Sequence, residues 1–178
     1  MKFRRTHAER ILSGLEISPR SKRMASYWLS LWDGDIPPSR KAIAPVDIKP
    51  LLPGIIFFQF NADRSVSVRM AGTDFCTLLN RELTGTDWLS VTPHGDRDMR
   101  LDVFSRIAHG AIGFNRWRFP RRLFGTVACE KLLLPLCADD RGPAILGFVD
   151  WSELRMSMAA PPSLSTIPPP AVAGSIIE

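Results

Sequence analysis

Any chemistry in this 178-residue chain must come from one arginine-aromatic run, three histidines, three cysteines and a few clustered carboxylates. In the run NRWRFPRR, Arg116, Arg118, Arg121 and Arg122 interleave with Trp117 and Phe119, a composition that contacts phosphate and stacks on bases. The net charge of +5 permits an acidic partner without demanding one. The same run also suits a strand edge guarded by charge against aggregation. An anionic nucleotide or nucleic acid bound by these four arginines is therefore the alternative reading.

The other groups argue against metal and catalytic chemistry. Cys76, Cys129 and Cys137 form neither a CxxC pair nor a disulfide framework, and no histidine cluster completes a zinc site beside them. Asp96, Asp98 and Asp102 do not share one helical face and suit the charge of a helix N-terminus. No GxSxG elbow, phosphate-binding loop, HExxH or dinucleotide-binding glycine pattern occurs. The expectation is a binding protein and not an enzyme, with an unrecognised small enzyme ranked last.

These groups need elements to hold them. Residues 1–20 are basic and weakly patterned and read as a solvated arm that ends near Pro19. From Ser21 to Asp33, Met24, Tyr27, Trp28, Leu31 and Trp32 fall on one helical stripe, capped by Ser21 and stopped by Gly34. The apolar load of this stripe is to be buried on a sheet or else on a partner chain. Prolines punctuate the next twenty residues, with a short helical turn near Asp47. IIFFQF and the alternating SVSVRM then read as a hairpin about NADR. A short helix follows Gly72, a longer one runs over 96–111, and three strands complete the chain. Residues 156–178 are proline-rich and read as a flexible tail beyond a folded unit of 21–155.

The order of elements predicts an α+β fold: a five-stranded antiparallel sheet with helices on one face and an extra N-terminal helix. Two blocks sharpen this. Tyr27, Trp28, Pro38, Arg40, Asp47, Leu51, Leu52 and Pro53 carry a Tyr-Trp helix, a Pro-x-Arg segment and a leucine-leucine-proline run. Arg69, Gly72, Thr73, Glu82, Leu83, Thr84 and Gly85 carry an arginine-x-x-Gly-Thr element and a Glu-Leu-Thr-Gly turn. Together they resemble a stand-alone bacterial PAS-like sensory family, across roughly residues 27–89.

The resemblance implies a PAS-like fold and a signalling role by small-ligand sensing, protein docking or both, without an output domain of the chain's own. A ligand would sit between the sheet and the two central helices, walled by Phe58, Met70, Phe75, Leu79, Phe104 and Ile107. Tyr27, Trp28, Leu31 and Trp32 would form the contact with a signalling partner or a second copy. The sequence requires no cofactor. Flavin photochemistry lacks its cysteine, because GFNRWRFP stands where an Asn-Cys-Arg-Phe run belongs, and haem would rest on His94 or His109 alone. No apolar run approaches a membrane span and no secretory signal opens the chain, so the expected location is the cytoplasm.

Overall fold

The structure, a computed structural model, describes residues 4–79, 81–120, 126–150 and 176–177. β-Branched and aromatic runs form five antiparallel strands: β1 Ile55–Phe60, β2 Val66–Ala71, β3 Ile112–Pro120, β4 Thr126–Asp139 and β5 Gly142–Asp150. Their order is β2-β1-β5-β4-β3, and a two-residue β6 (Ile176–Ile177) pairs with Ile112 and Gly113 at the β3 edge. The remainder of the expected tail lies outside the described residues.

Both faces of the sheet are covered. Between β2 and β3 come α3 (Thr73–Leu79) and α4 (Arg97–Ala108). They close one face over a core that includes Phe58, Val68, Phe75, Trp88, Phe104 and Ile107. The other face is closed by α1 (Arg5–Ser13), α2 (Pro19–Ser30) and a 3-10 segment at Pro45–Gly54. Its core includes Met24, Trp28, Ile48, Ile55, Phe57 and Phe148. The α+β class and the antiparallel sheet stand as expected; the N-terminal helices form a full second layer.

The arm expected over residues 1–20 is replaced by structure from Arg5 onward. Ala8, Ile11 and Leu12 are buried on α1, an apolar stripe that the surrounding arginines mask in the sequence. α2 starts earlier than expected as well, and it ends at Ser30 with Leu31 as its C-cap, short of the expected end at Asp33. Ser18, not Ser21, is its cap: the Ser18 hydroxyl accepts from the Ser21 N–H at 3.1 Å. Pro19 occupies the first helical turn, where its missing N–H has no partner to lose.

The second motif block explains itself by close packing. Gly72 donates its N–H to the Ile55 carbonyl at 2.6 Å as the chain enters α3. A Cβ at Gly72 would stand 2.3 Å from the Pro53 carbonyl oxygen and 2.4 Å from that of Leu52. Gly72→Ala is therefore expected to destabilise the fold by about 1–3 kcal/mol through overpacking. A urea midpoint equal to wild type would refute that packing. In the same block, the Thr84 N–H reaches Glu82 Oε1 at 2.8 Å and holds that carboxyl below its ordinary pKa. Gly85, at φ 82°, donates to Val68 O and ties the turn to β2.

Candidate functional site

The first motif block builds one wall of a cleft. The Tyr27 hydroxyl accepts from the Ala44 N–H at 2.8 Å, and the Pro38 carbonyl accepts from the Cys137 N–H at 2.9 Å. Leu51, 1% exposed, plugs the 3-10 segment into the core beneath. These anchors hold residues 40–54 away from the outer edge of the sheet, leaving a cavity of about 940 Å³. Its floor is Ile55 and Phe57 of β1 with Met70 of β2, and its near wall is Ile43, Ile48 and Leu52. The far side is the β4–β5 turn, Asp139 to Arg141. Gln59, buried beneath that turn, fixes it by donating to the carbonyls of Arg141 at 3.2 Å and Pro143 at 2.9 Å.

Cations stand around this apolar floor. Arg40 and Lys41, from a separate 3-10 turn (Arg40–Ala42), and Lys49 of the Pro45–Gly54 segment line the cleft on one side, and Arg141 of the turn on the other. The Arg40 guanidinium carbon lies 5.6 Å from the Phe57 ring centroid, a cation–π contact that holds charge against the floor. Among the described residues, none of the four forms an ion pair.

The cleft is not where the sequence suggested a pocket. Phe58, Phe75, Phe104 and Ile107 do meet between the sheet and the central helices, in one packed cluster with Trp88. Phe58 stacks edge-on with Phe104 at 4.8 Å and with Trp88 at 5.4 Å. Leu79 closes α3, and its side chain lies outside the described residues. Met70 is a correction: it faces the cleft on the opposite side of the sheet. The β1–β2 register skips Arg69, pairing Phe57 with Met70 and Phe58 with Val68. One extra residue flips every side chain beyond it, so strict alternation from Val66 and Val68 assigns Met70 to the wrong face.

The expected partner stripe is also consumed within the chain. Trp28 is fully buried and donates its indole N–H to Pro135 O at 3.1 Å, and Trp32 is 6% exposed. Tyr27 and Leu31 are part-buried against the same core. An amphipathic stripe says that something covers it, and here the chain's own sheet does. Arg116 is engaged too: it pairs with Glu130 at 2.7 Å and donates to the Glu16 carbonyl. Glu130 in turn accepts from the Ser18 N–H at 2.7 Å, so this arginine clasps the α1–α2 linker to β4. The side chain of Arg118, and Arg121 and Arg122 entirely, lie outside the described residues. His94 and His109 are both exposed, and His109 Nδ1 is directed at Ser105 O at 2.6 Å on its own helix.

Sequence reasoning missed two inward-facing cations on the α4 side of the sheet, Arg100 of α4 itself and Lys131 of β4. Arg100 is 2% exposed. Lys131, half-buried beside its cross-strand neighbour Asn115, has its pKa pushed down to about 7 by burial and then by Arg100. Lys131 falls at an inward position of β4 between Cys129 and Leu133, and that alternation was the available signal.

A sheet of order β2-β1-β5-β4-β3 with helices inserted between the hairpin and the last three strands is a PAS-like α+β arrangement. The family model described as PAS domain matches residues 17–150, and the chain belongs to that family. Among solved structures, the PAS domain of an HTR-like protein from Haloarcula marismortui is 15% identical. That match covers 74% of this chain and 96% of that one, with a TM-score of 0.36. No curated protein matches the chain. Membership of the PAS family carries a signal-sensing or interaction role. Among the described residues, no helix is long and apolar enough to cross a membrane.

Proposed function

We propose that this chain is a signalling domain that acts by binding and not by catalysis. It takes a small ligand in the cleft over Phe57 and Met70 and passes that occupancy to a protein partner or a second copy. The observation that carries this reading is the roughly 940 Å³ cavity itself, a volume in the range of small-molecule sites. Its lining supports recognition, since an apolar floor is ringed by four cations, two carboxylates (Asp139 and Asp140) and the Thr73 hydroxyl, with no histidine, cysteine or serine among them. The route outward runs through Gly72, which lines the cleft and bonds β1 while opening α3. A cytoplasmic location is part of the proposal, supported by three cysteines carried as free thiols.

Native mass spectrometry of gently purified protein tests the reading. A bound small molecule adds mass to wild type, and Met70→Trp, whose indole crowds the floor of the cleft, weakens its retention. An increment retained in Met70→Trp as fully as in wild type overturns the cleft assignment. So does the lack of any increment after incubation with a cell metabolite extract.

A further inference from the structure

We infer that the cleft on the α2 face of the sheet selects an amphipathic anion: an alkyl or aryl body ending in a carboxylate. This rests on reading the cleft as a ligand site and adds its chemical class. Two independent features of the lining carry it.

The floor demands an apolar body. Ile55, Phe57 and Met70 form it, with Ile48 and Leu52 above, and the space between them is large enough for a medium-length chain. Burying such a chain releases about 25 cal/mol for each Å² of apolar surface removed from water. A small polar metabolite gains nothing from these walls.

The mouth demands a negative end, and it does so asymmetrically. The wall of residues 40–54 contributes Arg40, Lys41 and Lys49 to the lining, three cations against the one exposed carboxylate of that wall, Asp47, which does not line the cleft. The two carboxylates of the lining, Asp139 and Asp140, both sit on the opposite turn beside Arg141. One of them is already engaged, since Asp139 Oδ1 accepts from the Arg141 N–H at 2.9 Å. The positive field is therefore concentrated on one lip of an apolar slot, where low-dielectric walls focus it. Arg40 links the two features, because its guanidinium lies over the Phe57 ring at the floor and carries charge to the lip. A carboxylate meeting Arg40 gains charge-assisted hydrogen bonds while its chain runs inward over Met70.

The site differs from the interior between the sheet and α4. The bulge at Arg69 and the outward turn of Met70 belong to the opposite face, so occupancy of one need not disturb the other.

The test uses the whole chain with three probes of equal chain length: octanoate, 1-octanol and octyltrimethylammonium. Methyl-labelled spectra follow Met70, Ile48 and Ile55 in the cleft, with Ile107 as an interior control, and calorimetry gives the affinities. Octanoate is expected to shift the cleft methyls and to bind at least ~10-fold more tightly than the cation. The preference falls as salt rises. It reverses in Arg40→Glu/Lys49→Glu, whose altered side chains are exposed and whose fold is checked by thermal melting. Equal binding of all three probes, with shifts at the cleft methyls, leaves the ligand site standing and overturns the anion preference. Failure of every probe to move those methyls overturns the site as well. Shifts confined to Ile107 do the same.

Discussion

Trp28→Ala is expected to destabilise the protein by about 3–5 kcal/mol, a large part of the stability of a domain this size. Trp28 is fully buried, contacts Trp32 edge-on at a centroid distance of 5.1 Å, and belongs to the core that α2 seals against the sheet. Truncation leaves a cavity that fixed β-strands cannot close, and it strips the Pro135 carbonyl of its indole donor. Trp28→Phe keeps much of the volume and loses the hydrogen bond, so its cost should be nearer 1–2 kcal/mol. Urea denaturation of both variants separates the two contributions. A side chain that served only as a contact for a partner would give the opposite result: unchanged monomer stability and altered association. Unchanged urea midpoints in Trp28→Ala would return the residue to that role.

Lys131→Met should stabilise the protein at neutral pH, by about 2 kcal/mol. Burial and the nearby Arg100 guanidinium disfavour the Lys131 ammonium and bring its pKa from 10.5 down to about 7, with Cys129 pulling weakly the other way. A shift of that size corresponds to at most about 4–5 kcal/mol, and the water still reaching a half-buried ammonium reduces it. Because the folded pKa lies below the unfolded one, the unfolded chain holds a proton between about pH 7 and 10.5 that the folded chain has released. Stability contributed by this site therefore rises with pH across that window, and the penalty is present in full below it. Methionine has comparable length and no charge to desolvate. The gap between variant and wild type should be widest near pH 7 or below and close towards pH 10, measured as the difference in urea midpoint. A gap that stays constant with pH would show that the gain comes from packing alone.

Local signals in the sequence carried a long way. Alternation in SVSVRM and the apolar run IIFFQF placed the β1–β2 hairpin, because a half-buried strand repeats every two residues wherever it lies in the fold. The stripe of Met24 and Trp28, continued by Trp32 just past the helix end, placed α2 for the same kind of reason at a period of 3.6. Two motif blocks joined these elements into the PAS order, and Gly72 of the second proved to be a point of close packing against Pro53 of the first. Boundaries and masked stripes were harder to read. The cap at Ser18 hides behind Pro19, and the buried Ala8, Ile11 and Leu12 of α1 lie among arginines that dominate the composition.

The sequence by itself determined which residues must be buried and which elements bury them, since periodicity is a property of each segment alone. It could not say whether a sheet or a partner covers a buried stripe; the chain's own sheet takes Trp28. Nor could it assign faces across a bulge: the single unpaired residue at Arg69 moved Met70 from the expected interior to the opposite side. Only the tertiary structure decided where space remains. The aromatic side chains that suggested a pocket, Phe58 and Phe104, pack edge to face against each other. A cavity of about 940 Å³ lies on the other face, between residues 40–53 and the strands β1 and β2. A cavity is what packing leaves unfilled between elements distant in the chain, and no local pattern encodes that difference.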